Sequence, residues 1–117
     1  MKKYYYISSP SCMLRNMKEK MLAEYLMKFR NTLIEFGKDY SAEILLADIR
    51  ERVNEINASS KRSGDIYVRM DEGMRNDGLA FSFFRKNHSG EVFAMMILKP
   101  VRRWVAGSSS NGKSDAE

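Results

Sequence analysis

The sequence predicts an α+β domain with the order β-α-α-β-β-β, in which a two-helix hairpin packs on one face of an antiparallel sheet of three or four strands. The segment Leu79–Leu98 carries much of this prediction, because two apolar stretches flank the turn Asn87–Gly90, as in a β-hairpin. Two apolar stripes with helical spacing precede the hairpin. Strand-like segments at residues 2–7 and 65–71 complete the order.

The predicted hairpin is apolar on both of its faces. Leu79, Phe81 and Phe83 alternate on one side, while Phe84 and Phe93 belong to the other side, which is also largely apolar. Strands of this kind suit a sheet that is covered on both sides. We therefore expect helices on one face and either helices or a partner on the other.

Two helices are predicted before the hairpin. The first runs from Pro10 to Phe36, with Ser9 as its N-cap and Gly37 as its left-handed C-cap. The second begins after the N-cap Ser41, and a short connection makes the two helices antiparallel. The first helix has the apolar stripe Leu14, Met17, Met21, Tyr25, Phe29, Leu33 and Phe36, and the second has the seam Leu46, Ile49, Val53 and Ile56.

The remaining segments complete the sheet and the core. Lys2–Ile7 is a strand that we expect at an edge of the sheet or beside the last strand, and Asp65–Asp71 alternates like a half-exposed strand. The predicted core consists of Leu14, Met21, Tyr25, Phe29, Leu46, Ile49, Val53, Ile66, Val68, Phe81, Phe83, Val92 and Met96.

Length and composition suggest one domain at residues 1–106 and a flexible polar tail at residues 107–117. The chain has one cysteine, no pattern of a signal peptide, and no apolar run of the roughly 20 residues that span a membrane. These features predict a cytoplasmic protein that does not interact with a membrane.

The net charge of +5 lies mostly in the second half of the sequence, where basic and aromatic residues alternate. This pattern predicts a small, basic, non-enzymatic protein that binds nucleic acid or an acidic protein through a basic and aromatic sheet edge. An ordinary solvated edge has the same composition, so that alternative stays open. The predicted binding residues are Tyr67, Arg69, Arg85, Lys86, Arg102, Arg103 and Trp104.

Two features resemble proteins that act on RNA. Gly78–Phe84, with the sequence GLAFSFF, partly resembles the RNP1 motif of RNA-recognition domains, which implies a base stacked at the aromatic position that Leu79 occupies here, although Phe81 and Phe83 also fit a core. The element order in a small basic chain resembles the RelE/ParE-type toxins, which cut RNA with Lys, Arg and Tyr side chains. That resemblance implies a metal-independent ribonuclease as the alternative function.

A third resemblance concerns Tyr4–Arg15, with the core YYISSPSCMLR, which looks like the opening of thioredoxin-like thiol proteins. It implies a thiol redox protein in which Cys12 lies at a helix N-terminus and has a lowered pKa. Arg15 stands where a second cysteine would complete the pair.

Motifs for other chemistry are missing from the sequence. The single histidine, His88, lies in the predicted turn, and no cysteine cluster, acidic metal loop or phosphate-binding glycine motif accompanies it. No catalytic residue, metal site or cofactor is therefore predicted. A further alternative is a homo-oligomeric structural or accessory protein, such as a homodimer, that covers the second apolar face of the sheet.

Overall fold

The computed structural model describes residues 2–62, 64–72, 78–86 and 90–101, and within them two α-helices accompany a six-stranded antiparallel sheet. The α+β class and the approximate element order are confirmed, although the sheet is larger than the three or four strands predicted. The elements are β1 (Lys3–Ile7), β2 (Ser11–Cys12), α1 (Met17–Leu26), a 3-10 turn (Met27–Phe29), β3 (Thr32–Phe36), α2 (Ala42–Ala58), β4 (Ile66–Asp71), β5 (Leu79–Arg85) and β6 (Val92–Val101).

The strands lie in the order β3-β1-β6-β5-β4. The first strand therefore pairs with the last one, which is one of its two predicted positions, and it is not at an edge because β3 is added on its outer side. After an interruption at residues 8–10, β2 continues beside β6, with Cys12 opposite Ala94. The Met13 N–H extends this pairing by donating to the Phe93 carbonyl at 2.7 Å.

The predicted helix from Pro10 to Phe36 is wrong, because this region contains β2, α1, the 3-10 turn and β3. The N-cap is Asn16, whose Oδ1 accepts a hydrogen bond from the Glu19 N–H at 3.0 Å, and not Ser9. The helical segment stops before Asn31, which has a φ of 58°. Asparagine tolerates this left-handed conformation.

Residues 32–36 fit two periodicities, and the strand pattern prevails. Leu33 and Phe36 continue the helical stripe, but Thr32, Ile34 and Phe36 alternate toward the helices with Leu33 and Glu35 between them. Gly37 is no helix C-cap; its N–H donates to the Tyr40 carbonyl in the turn after β3. Helices α1 and α2 pack together, but β3 separates them in the chain.

Helix α2 follows the sequence prediction closely. It begins after Ser41, whose Oγ accepts from the Ile44 N–H at 3.2 Å. Its buried residues Leu45, Ile49, Val53 and Ile56 face the sheet.

The core lies between the helices and one face of the sheet. Most predicted core residues are buried or half-buried, including Ile49, Phe81 and Met96. Leu14 and Val92 are exceptions, with exposed fractions of 43% and 39%. Leu14 precedes α1, and Val92 is paired with Phe84 on the face away from the helices.

Side chains that are paired across antiparallel strands lie on the same face, so the strand registers divide the sheet into two surfaces. The covered face contains core residues such as Ile7, Val68 and Phe81, and it packs against the helices. We call the other surface the open face. It consists of Tyr4, Tyr6, Ser11, Leu33, Glu35, Tyr67, Arg69, Asp71, Ala80, Ser82, Phe84, Val92, Met95, Ile97, Lys99 and Val101.

Candidate binding face

The open face carries mostly apolar and aromatic side chains, although no described element covers it. Leu33 is 60% exposed and Tyr67 44%, and Val92 and Tyr6 are also exposed. Met95 and Ile97 are half-buried between them. The uncovered face of an antiparallel sheet is normally polar. This reversal makes the open face the strongest candidate for binding.

At one end of the open face, Tyr67 and Arg69 both pack on the ring of Phe84. The Tyr67 and Phe84 rings are stacked with centroids 5.0 Å apart and planes 13° apart, and the Arg69 guanidinium carbon lies 4.8 Å from the Phe84 centroid. Arg69 Nε is also 3.2 Å from the Asp71 carboxylate. Phe84 is buried by these neighbours. The result is a preformed aromatic surface with an adjacent cation.

At the other end, Tyr6 lies between Leu33 of β3 and Lys99 of β6, which are its direct cross-strand partners. Its hydroxyl donates to Asn31 Oδ1 at 2.9 Å, which orients the ring. Lys99 is exposed and forms no ion pair with the described residues. A second pairing of an aromatic ring with a cation is therefore present on this face.

The open face carries two cations, Arg69 and Lys99, and two carboxylates, Glu35 and Asp71, and Lys2 just before β1 adds a third cation beside it. Arg69 is paired with Asp71, and Glu35 is paired with Lys2 at 3.2 Å. The hydrogen bond from Lys2 to Glu35 raises the pKa of the lysine ammonium. Lys99 adds a positive charge that neither acidic residue neutralises in the described structure.

The structure brings together some of the predicted binding residues. Tyr67 and Arg69 are neighbours on the open face. Lys86 is exposed just after β5. Three more predicted residues, Arg102, Arg103 and Trp104, and also His88, lie outside the described residues.

Arg85 does not belong to this surface. It is buried at 7% exposure on the covered side, where Nε lies 2.7 Å from Glu19 Oε2 and Nη2 lies 2.8 Å from the Met13 carbonyl. Its Nη1 lies 3.2 Å from Glu91. The hydrogen bond with Glu19 is the main cause that raises the pKa of Arg85. The expectation that Arg85 binds a partner is corrected, because its donors are already used inside the protein.

Glu19 is the centre of this buried network. It accepts hydrogen bonds from the Arg15 N–H at 2.8 Å and from Asn16 Nδ2 at 3.2 Å, besides those of Arg85. A polar cavity of about 60 Å³ beside it is lined by Asn16, Glu19, Gly64, Asp65, Ile66, Arg85 and Lys86. The carboxylate of Glu19 already accepts hydrogen bonds from several donors inside the protein. The network attaches the start of α1 to β5, and we therefore regard it as structural.

Cys12 is placed differently from the thiol-protein expectation. It lies in β2, before the N-cap Asn16, and not at a helix N-terminus. Its thiol is half-buried, and this burial raises its pKa. The predicted position at a helix N-terminus is therefore wrong, and the burial of the thiol opposes the lowered pKa that the resemblance implies.

The resemblance to the RNP1 motif does not hold for the side chains that β5 exposes on the open face. Leu79, at the position where that motif stacks a base, is buried at 6% exposure on the covered face, and Phe81 is buried there as a core residue. Ala80, Ser82 and Phe84 are the residues of β5 on the open face. Aromatic rings do lie on this face, but β1 and β4 supply the exposed ones.

The sequence prediction missed Tyr6, Lys99 and Leu33 as surface neighbours. The alternation of Tyr4 and Tyr6 in KYYYI was a visible signal, but the position of β1 between β3 and β6 was needed to interpret it. Among the described residues, no group of three or more His, Cys, Asp or Glu side chains could hold a metal ion. No helix within them is long and apolar enough to span a membrane.

Comparison of the chain with protein-family models, with curated proteins and with solved structures finds no match. The geometry of the open face is therefore the observation from which a function can be inferred.

Proposed function

We propose that this protein is a non-enzymatic module that binds single-stranded nucleic acid on the open face of its sheet, with RNA as the probe that tests it. The observation that supports this proposal is the presence of two exposed tyrosines on one flat surface, each beside a cation. Tyr6 is directly opposite Lys99, and Tyr67 lies beside Arg69.

Stacking is the main attraction in this proposal. Single-stranded nucleic acids bind to sheet surfaces by stacking bases on aromatic side chains, at roughly 1–3 kcal/mol per base. Tyr6 and Tyr67 are on β1 and β4, which are three strand spacings apart, or about 14 Å. Tyr6 is level with Lys99 of β6 and Tyr67, through Phe84, with Val92, so the two residues are also offset by roughly 20 Å along the strands and lie roughly 25 Å apart. Met95 and Ile97 lie between them and offer an apolar surface to intervening bases.

Phosphate contacts would come from the cations at the two ends of the face. Lys99 is exposed, and Arg69 keeps its orientation through Phe84 and Asp71. Such contacts release counterions from the nucleic acid and make binding depend on salt. The overall charge of +5 also favours the approach of a polyanion.

The apolar centre of the face supports a second candidate function, the binding of a partner protein. Leu33, Val92, Met95 and Ile97 give no sequence-specific contact to a base but would bury well against another protein. The two candidates differ in their salt dependence, because apolar burial is not weakened by salt.

Fluorescence anisotropy with a labelled single-stranded RNA tests the proposal. We expect binding at low salt that weakens as salt rises, and Lys99→Ala should reduce the salt slope by about 0.7 per lost phosphate contact. Lys28→Ala is the matched control, since Lys28 is exposed in the helical layer.

Absence of binding at low salt, or an equal effect of the two lysine variants, would overturn the proposal. The same RNA should remain intact on a gel. Cleavage that is lost in Tyr6→Ala or Arg69→Ala would instead support the metal-independent ribonuclease.

A further inference from the structure

The two edges of the sheet differ in how their backbone groups are satisfied. An edge strand leaves a row of N–H and C=O groups without a neighbouring strand. At the β4 edge, the side chain of Asn57 in α2 binds the backbone of Ile66: Nδ2 donates to the carbonyl and Oδ1 accepts from the N–H, both at 2.8 Å. This side-chain amide replaces a neighbouring strand at the start of β4.

The hydrogen bonds of Asn57 also show, through the strand registers, which backbone groups of β3 point outward. The backbone groups of an antiparallel strand point alternately to its two neighbours. The backbone N–H and C=O of Ile66 bind Asn57 and therefore point away from β5. When the alternation is followed from this residue across β5, β6 and β1 to β3, the backbone N–H and C=O groups of Leu33 and Glu35 point away from β1, toward the outer edge of the sheet. The registers that carry it are Tyr67↔Phe84, Phe83↔Ala94, Tyr6↔Lys99 and Tyr5↔Ile34.

The outward edge of β3 has no counterpart to Asn57 in the described structure. No described residue forms a hydrogen bond with the outward backbone groups of Leu33 and Glu35. The strand contains neither proline nor lysine, and the charge of its one carboxylate, Glu35, is paired with Lys2. Leu33 is also 60% exposed beside these groups. The β3 edge is therefore prepared for pairing.

We infer that β3 pairs in antiparallel fashion with β3 of a second copy of this chain, around a two-fold axis at Ile34. This register places Leu33 opposite Glu35 of the second copy, and Glu35 opposite its Leu33. Both members of each pair carry one outward N–H and one outward C=O, so all four groups of each copy are satisfied. The two Ile34 residues form the intervening close pair, with Cα atoms about 4.5 Å apart on the covered side.

A second copy fits this edge better than an unrelated extended peptide, because the edge complements itself. The pairing is isologous and closes as a dimer. The alternative of joining β3 to β4 of another copy would generate an open filament. The Asn57 side chain occupies the start of β4 and disfavours that alternative.

The dimer would join both sheets into one, with the two open faces on the same side. The inference does not rest on the proposed function, because it uses the backbone of β3 and not the side chains that would contact RNA.

Sedimentation velocity of the full chain over a wide range of concentrations tests the dimer. We expect a concentration-dependent rise from 13.6 kDa to twice this mass. Leu33→Glu should abolish the rise, because it places two carboxylates opposite each other in each Leu33–Glu35 pair, whereas Tyr67→Glu, a matched change of an exposed open-face residue on the other edge strand, should leave it unchanged. A monomer at all concentrations, or the same behaviour in both variants, would overturn the inference.

Cross-linking tests the register without depending on a loss of stability. In a Cys12→Ser background, Ile34→Cys should form an intermolecular disulfide under mild oxidation, because the two cysteines lie opposite each other. Leu33→Cys should form much less, since it faces Glu35 of the second copy. Equal or reversed cross-linking would show that the register is wrong.

Discussion

Each face of the sheet departs from the usual distribution of polarity in its own way. The covered face ends in a buried ion network in which Glu19 is 2% exposed and Arg85 is 7% exposed. The open face instead presents Leu33, Tyr67 and Tyr6 to solvent. Burying charge and exposing apolar area both oppose stability unless something compensates.

The compensation differs between the faces. The buried charges are compensated inside the chain, because Glu19 accepts hydrogen bonds from Arg85, Arg15 and Asn16. The described residues supply no equivalent cover for Leu33 or Tyr67. The covered face therefore explains how the chain holds its helices, and the open face is where we expect it to meet a partner.

The largest effect on stability should come from removing the buried carboxylate. Glu19→Ala leaves Arg85 charged in a buried position, and loss of one member of a buried pair costs about 3–5 kcal/mol of unfolding free energy. Urea denaturation measures this change. Glu24→Ala, at an exposed position on the same helix, is the control and should cost less than about 0.5 kcal/mol. Similar values for the two variants would contradict the structural role of the network.

A large effect on binding, with little effect on stability, is expected at the open face. Tyr6→Ala should weaken RNA affinity by about 1–3 kcal/mol, since a stacked base loses its ring. Tyr6→Phe keeps the ring and should retain most of the affinity, which anisotropy can measure. If Tyr6→Phe were as weak as Tyr6→Ala, stacking would not be the source of affinity.

Substitution of the two helix N-caps, Asn16 and Ser41, should reduce the unfolding free energy by a smaller amount. Asn16→Ala removes a cap and also a hydrogen bond to buried Glu19, so we expect a loss near the upper end of the range of roughly 0.5–2 kcal/mol for cap substitutions. Ser41→Ala removes the cap hydrogen bond from the Ile44 N–H, and its stability loss should lie near the lower end of that range. The reverse order in thermal or urea unfolding would contradict the link between cap and network.

The smallest effect concerns Cys12, where we expect reactivity to change without a change in fold. Burial disfavours the thiolate and raises the pKa, so the pH midpoint of alkylation should lie above that of free cysteine. At neutral pH the thiol should then react slowly with iodoacetamide. A midpoint below that of free cysteine would support the thiol redox alternative instead.

Local signals were sufficient for the second half of the fold. Ser41 and the seam from Ile49 to Ile56 predicted α2, and alternation predicted β4 and the hairpin strands. In the first half, the stripe through Phe29, Leu33 and Phe36 fits a helix as well as it fits a turn followed by a strand. The pattern of Asn16 followed by Glu19 was a visible capping signal, but the stripe obscured it.

The site depended on contacts that the sequence does not reveal. Arg85 was expected at the surface because its partner Glu19 lies 66 residues away in the chain. In the same way, Tyr6 and Lys99 become neighbours only because β6 pairs with β1. Residue type predicted that a basic and aromatic surface exists, whereas sheet topology decided which residues belong to it.

Chemical-shift mapping with isotope-labelled protein and unlabelled single-stranded RNA would show which surface of the protein binds the nucleic acid. We expect perturbed amides to cluster in β1, β4 and β6, around Tyr6, Tyr67 and Lys99, and α2 to remain unchanged. Perturbations confined to the helices, or none at low salt, would contradict the assignment of the open face as the binding surface.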